Sequence, residues 1–165
     1  DVDAPLLYEL SGDLLDFGAA VVALKMGDQG IYLRTTPDAV RLRHTGGTVL
    51  GHSWLGRELL VPAFRANLVG TTGAGDCAIA GFYAGLLRGQ PPEQALTSAA
   101  AAGGANVERA DAISGVPTWD VLQGRVTAGW EKLPLRLPLP GWSHSAAHSL
   151  WAAPGDPLNA SSPAA

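Results

Sequence analysis

GTTGAGD, running from Gly70 to Asp76, stands directly before a strongly apolar run and decides how the rest of the chain is read. A helix start leaves backbone N–H groups unpaired and carries positive partial charge. Glycines let the chain wrap closely, so those amides can converge on an anion such as a phosphate. The plain alternative is a tight strand-to-helix turn, with Asp76 capping the helix or lying in its first turn. A P-loop requires G-x-x-x-x-G followed by Lys. Gly70 to Gly75 supply the frame, but Asp76 stands where the lysine belongs, and its carboxylate would repel a triphosphate. An acid in that place is better suited to taking a proton from an attacking hydroxyl while the amides hold the transferring group. The dinucleotide fingerprint G-x-G-x-x-G/A is matched by Gly73, Gly75 and Ala78, yet the next element reads as a second helix rather than a strand.

Downstream, Ile79, Phe82, Tyr83, Leu86 and Leu87 recur at helical spacing and predict one apolar face, with Ala78, Gly81 and Gly85 elsewhere around the helix. Gly89 reads as its C-terminal cap. Pro91 and Pro92 open a second, Ala-rich helix to about Asn106, with Glu93 in its first turn. Residues 112–117 read as loop and Trp119 to Val126 as a last helix. Upstream, Leu6 to Asp16 has the spacing of an amphipathic helix. Ala19 to Leu24 is a continuous apolar run, expected as a strand covered on both faces of a parallel sheet. Gly27 to Gly30 read as a turn and Ile31 to Arg34 as the returning strand. Short strands are expected at Val40 to Arg43 and within Val61 to Val69, with 44–60 irregular. From Gly129 the prolines of LPLRLPLPGW and the aperiodic end predict an irregular, partly disordered tail over 129–165.

Composition sets the outer limits. The chain has 165 residues, 47% hydrophobic and 16% charged, which suits one domain with a real core and excludes a wholly disordered chain. A net charge of −4 argues against a nucleic-acid-binding surface. No apolar run reaches the roughly 18 residues of a membrane span. A single cysteine, Cys77, excludes an internal disulfide and a cysteine metal cluster, in keeping with a cytoplasmic setting. The opening residues DVDAPLLYELSG read as the inside of a folded unit, so a fragment is expected.

Three segments then share one resemblance. Gly73-Ala74-Gly75-Asp76, preceded by Thr71-Thr72, resembles the C-terminal signature of the PfkB (ribokinase-like) carbohydrate kinases, usually D/N-T-x-G-A-G-D. VVALKMGDQGIYL, from Val21 to Leu33, resembles that family's nucleotide-side hairpin, V-V-x-T-x-G-x-x-G. AAAAGGANVERADAISGVP, from Ala99 to Pro117, resembles its adenine-side helix and following loop. The resemblance spans about residues 5–125. It implies an α/β, three-layer α/β/α ribokinase-like fold, of which residues 1–128 form the C-terminal part of a mostly parallel sheet flanked by helices. It implies ATP-dependent phosphoryl transfer to a sugar or nucleoside hydroxyl, with Mg²⁺ accompanying ATP. Asp76 would be the general base, and the backbone amides of Gly73, Ala74 and Gly75 the anion hole. Lys25, Gly27, Gly30 and Thr72 would border the nucleotide, while Ala100, Gly103 and Asn106 would lie on the helix lining the adenine pocket. A homodimer is implied for the full-length protein. Two positions depart from the pattern. Gly70 replaces the usual Asp that helps hold a monovalent cation in potassium-activated members, and Lys25 stands where Thr is common. The N-terminal half of such kinases, with its sugar-contacting residues and β lid, has no counterpart here, so the chain alone is expected to be inactive. The rival readings are a non-catalytic nucleotide-binding remnant of the same fold and an NAD-binding domain.

Other residues read as structural. Cys77 is expected to pack despite its place at a helix start. His144 and His148 have i, i+4 spacing but no accompanying ligands, so no metal site is expected. His44 and His52 flank a glycine loop, Trp119 is expected to pack, Trp142 and Trp151 to cover surface or stay loose, and Arg109 and Asp111 to form a loop ion pair.

Overall fold

The sheet grows from one tight turn. In the computed structural model, which describes residues 2–43, 45 and 50–160, strand β1 (Val21–Lys25) enters a 3₁₀ turn over Gly27–Gln29 and returns as β2 (Ile31–Thr35). Lys25 lies opposite Ile31 and Val21 opposite Thr35, so the pair is antiparallel. A connection this short allows no other sense, because a parallel pair needs a crossover of a dozen residues or more. Gly30 closes the turn at φ 96°, where a β-carbon would overlap the Val61 carbonyl oxygen. Strand β3 (Glu58–Val61) pairs with β2, and β4 (Ser143–Ser145) and β5 (Leu150–Ala152) complete the order β1-β2-β3-β5-β4. Every pairing is antiparallel. The expected mostly parallel sheet is therefore corrected, and β1 is a half-buried edge strand rather than one enclosed in a parallel sheet.

Alternation sorts the strand side chains to two faces. Ile31, Leu33, Leu59 and Val61 join the core beneath the helical layer, while Tyr32 and Leu60 face the other way. Leu33, Leu59, Leu60 and Val61 are fully buried, each contributing about 1.5–3 kcal/mol through loss of apolar surface. On the Tyr32 side lies α1 (Ala4–Asp16), begun by Asp3, whose carboxylate accepts the Leu6 N–H at 2.9 Å. Leu7, Ser11 and Leu15 form its buried stripe, and Leu10 and Leu14 are exposed. Beside it, Leu135, Leu137, Leu139, Trp142 and Trp151 cover Leu7, Tyr32 and Leu60. The stretch 129–160 thus departs from the irregular tail expected, since it adds two strands to the sheet and packs on one of its faces. Trp142 and Trp151 belong to that cover.

The opposite layer is α3 (Ala74–Leu87), α4 (Pro92–Asn106) and α5 (Trp119–Thr127). The face predicted for α3 is corrected. Cys77, Ala78, Gly81, Phe82, Gly85 and Leu86 are buried, while Tyr83 and Leu87 stand exposed. The small residues win because they allow close approach to the alanines of α4: a β-carbon on Gly81 would come within 2.7 Å of the Ala102 β-carbon. Gly89 ends α3 as expected, its N–H reaching the Leu86 carbonyl at 2.9 Å and that of Gln90 reaching Gly85 at 3.0 Å.

Two predicted strands are also corrected. Val40 to Arg43 lie in α2 (Ala39–Arg43), because Asp38 accepts the N–H groups of Val40 and Arg41 and starts a helix. Val61 ends β3 rather than beginning a strand, since Pro62 cannot continue the ladder; beyond it only Phe64 bridges, to Lys132. Residues 50–57 are irregular apart from a 3₁₀ turn at His52–Trp54. His44 lies outside the described residues.

The C-terminal segment is tied down electrostatically. Arg57 bonds Glu93 at the start of α4 and Asp156 just before α6 (Pro157–Ala160). Burial opposes the Arg57 charge, and the two carboxylates more than restore it, so its pKa is raised. Asp156 also accepts the N–H groups of Glu58 at 2.7 Å and Leu158 at 2.8 Å. Among the described residues no helix is long and apolar enough to cross a membrane.

Candidate functional site

The loop before α3 is shaped by backbone pressed against backbone. Gly73 takes φ 74°, and a β-carbon there would overlap the carbonyl of Ala112, so glycine alone fits the turn into the helix. The Cys77 N–H returns to the Gly73 carbonyl at 2.8 Å, and the Ala74 N–H meets the Thr71 carbonyl at 3.2 Å. The Ala74 amide is thus partly engaged within the loop. Gly75 and Asp76 follow in the first helical turn, where the helix itself offers N–H groups no acceptor. Asp76 is exposed beside them. Cys77 packs as expected: it is buried and its thiol bonds the Ala112 carbonyl at 3.3 Å. Burial, with the charge of Asp76 adding, pushes that thiol up.

Lys25 ends β1, and the strand aims its long side chain across at this helix start. A β-carbon built on Gly75 would come within 2.8 Å of the Lys25 ammonium. A cation, the first-turn amides of Gly75 and Asp76 and an exposed carboxylate therefore meet within one turn of helix. Such a place attracts a phosphate and offers a proton acceptor beside it. Gly27 and Gly30 shape the turn that follows Lys25. Gly27 faces open space and Gly30 is buried against the end of β3. Thr72 is exposed at the loop's outer edge.

Ala100, Gly103 and Asn106 lie differently from a pocket lining. Ala100 is in the core. Gly103 sits under the loop, its would-be β-carbon 3.1 Å from the Ala74 carbonyl oxygen. Asn106 is wholly buried, and its amide donates to the Thr72 carbonyl at 2.9 Å. Gly103 and Asn106 support the loop from behind.

The segment over the loop carries residues that sequence reasoning assigned to an ion pair. Asp111 instead accepts the N–H groups of Ile113 at 3.0 Å and Ser114 at 2.7 Å, and bonds the Ser114 hydroxyl. The hydroxyl and the two amides hold the carboxyl down at about 2. Asp-x-x-Ser is a turn signal that could have revealed this. Among the described residues no group of three or more His, Cys, Asp or Glu could hold a metal. His144 faces Trp151 at 5.2 Å between ring centres. A cleft of about 450 Å³ lined by Leu6, Leu10, Leu24, Lys25, Met26 and Leu137 reaches Lys25 from the α1 side. A groove of about 660 Å³, with Tyr8, Arg34, Glu58 and Trp142 on its walls, holds none of the loop residues.

The dinucleotide reading loses its frame here. After α3 comes α4 with no strand between, and Glu93 in its first turn is buried against Arg57.

Residues 7–119 match the family described as pfkB family carbohydrate kinase. The chain is 31% identical over 108 residues to a 5-dehydro-2-deoxygluconokinase of Geobacillus thermodenitrificans (strain NG80-2), a match covering 66% of this chain and 27% of that protein. Among solved structures it is similar to a ribokinase of Thermotoga maritima (24% identity, TM-score 0.57, 73% of this chain and 34% of that one). It is similar also to Arabidopsis thaliana ribokinase complexed with ribose and ATP (22%, TM-score 0.59, 73% and 33%). A third is aminoimidazole riboside kinase of Salmonella enterica, complexed with aminoimidazole riboside and an ATP analogue (26%, TM-score 0.52, 74% and 39%). The chain thus spans about a quarter of its curated relative and a third or slightly more of these structures.

Proposed function

Since the chain belongs to the pfkB family of carbohydrate kinases, we propose that it supplies the nucleotide side of an ATP-dependent kinase acting on a sugar or nucleoside hydroxyl in the cytoplasm. Residues 1–128 correspond in this reading to the C-terminal part of the kinase domain. The observation that carries it is the meeting of the Lys25 ammonium with the start of α3 at Gly75, beside the exposed Asp76.

Bound Mg·ATP supplies the transferable phosphoryl group, with the metal neutralising phosphate charge. No protein cage for that metal is needed, because Mg²⁺ commonly arrives on substrate phosphates with its waters. This chain's residues fit the anion. The first-turn amides of α3 present N–H groups where negative charge gathers on the group in transfer, and they are preorganised by the turn at Gly73. Lys25 adds positive charge on the same side. The Asp76 carboxylate accepts the proton of the attacking hydroxyl, and its place in the first turn puts acceptor and anion site in one rigid element. Gly27 and Gly30 keep the neighbouring turn narrow beside the nucleotide. The rival reading is a non-catalytic nucleotide-binding remnant of the same fold. The two agree on binding and part at transfer.

Calorimetric titration with Mg·ATP of this chain and of Gly75→Asp tests the reading. A carboxylate at residue 75 falls on the Lys25 ammonium and fills the anion site. Saturable binding by the parent and its loss in the variant, both shown folded by circular dichroism, is the expected result. Equal binding by the two would place the nucleotide elsewhere and sink the assignment, as would no binding by the folded parent.

A further inference from the structure

We propose that the Asn106 side-chain amide fixes the anion loop of this chain, so that phosphate binding there needs no monovalent cation; the phosphate part rests on the kinase reading above. Asn106 is the last residue of α4 and is fully buried. Its Nδ2 donates to the Thr72 carbonyl at 2.9 Å, and its Oδ1 is buried without a hydrogen-bond partner. Burying an amide costs free energy unless its groups are paired, so a half-satisfied asparagine is a poor core residue. A leucine would fill the space more cheaply. What asparagine adds is the bond to Thr72, and among the described residues it is the one side chain that bonds the backbone of residues 70–75.

The surroundings explain why that bond matters. Gly70 has no side chain to hold a cation against the loop. The place a side chain would enter is closed by the carbonyl oxygens of Arg109 and Ala110, 3.1 and 3.3 Å from a β-carbon built there. The nearby Asp111 carboxylate is committed to its own turn. One lone pair of the Thr72 carbonyl is taken by the Asn106 N–H. Gly70 and Asp111 thus supply no free carboxylate for a cation at this loop, and the positive end of an amide meets the Thr72 carbonyl instead. Thr72 precedes the Gly73 turn, so a loose Thr72 carries the first amides of α3 with it, and small misplacements at an anion site are costly. Asn106 is thus a positioning residue.

The test uses the whole chain. Hydrogen exchange is followed at the amides of Ala74 and Cys77, which close on Thr71 and Gly73 within the loop, with Ala101 and Ala102 of α4 as internal reference. In Asn106→Leu the loop amides should exchange about tenfold faster or more while the reference amides stay within about twofold. Asn106→Ala, which removes the donor and leaves a smaller side chain, should behave alike. Parent exchange and Mg·ATP affinity should be the same in potassium and tetramethylammonium chloride of equal ionic strength. Unchanged loop exchange, or acceleration equal throughout the chain, would overturn the role of Asn106. A potassium dependence in the parent would overturn the second half, and needs no variant to fold. If the loop amides respond while no form binds Mg·ATP, the positioning stands and the kinase reading falls.

Discussion

The loop at the start of α3 and the C-terminal segment around β5 are held by opposite means. The loop is held by backbone contacts with residues 109–112 and one side-chain bond from Asn106, and the charged groups beside it, Lys25 and Asp76, stand exposed. The C-terminal segment is held by a buried guanidinium between two carboxylates, with side chains 5%, 9% and 0% exposed for Arg57, Glu93 and Asp156. One region leaves its charges exposed to solvent. The other keeps its charges paired and out of water. Affinity and stability should therefore respond to different substitutions.

The largest separation is expected at Asp76. In Asp76→Asn, transfer to a sugar or nucleoside acceptor, assayed with a matching upstream half supplied, should fall about 10²- to 10⁴-fold, the usual contribution of a general base. Mg·ATP binding and the thermal midpoint should hold, because the side chain is exposed. A matching drop in midpoint would show that Asp76 is part of the scaffold. The converse is Asp156→Ala. It strands one side of the buried Arg57 and should cost about 3–5 kcal/mol in urea unfolding. Mg·ATP affinity of the folded fraction should stay as in the parent. A parallel loss of affinity would show that the two regions are one unit.

Gly81→Ala crosses the comparison. Its β-carbon would lie 2.7 Å from that of Ala102 and 2.8 Å from the Ser98 carbonyl oxygen, so α3 and α4 must part slightly. Overpacking of this kind costs about 1–3 kcal/mol. Because α3 carries the loop at its start and Asn106 ends α4, affinity should fall with stability here and in neither of the other two variants alone. Urea unfolding and calorimetry on one preparation check both.

The same contrast governs what was legible in the amino-acid sequence. The turn into α3 could be read because its signals are local: glycines, an acid and a helix start within seven residues. The α3 to α5 helices, the hairpin turn at Gly27–Gly30 and the cap at Gly89 were legible for the same reason. The strands β4 and β5 were not, since SHS and LWA carry no pattern of their own: LWA becomes a strand by pairing with β3, some ninety residues away, and SHS by pairing with LWA. The buried face of α3 was misread because periodicity weighs large apolar residues, whereas the alanines of α4 reward small ones. Gly103 and Asn106 were placed on the right helix, but not behind the loop, a position that only the tertiary packing of α4 decides.

The smallest effect is expected on the cover over the loop. Asp111 is held at about 2 first by the Ser114 hydroxyl and then by the Ser114 and Ile113 amides, against an ordinary 3.8. Its folded value lies below its unfolded one, so the turn is favoured above about 3.8 and that contribution is lost as pH falls towards about 2. Carboxyl ¹³C shifts should show Asp111 titrating near the lower figure, and Ser114→Ala should raise the midpoint towards the ordinary one. At neutral pH the variant keeps Asp111 ionised and both amide bonds, so the Ala112 carbonyl stays over Gly73 and Mg·ATP affinity should barely change. A parent midpoint close to 3.8 would mean that the 111–114 turn is open in solution. The loop would then rest on Asn106 and the Gly73 turn alone, which would widen its contrast with the clamped C-terminal segment.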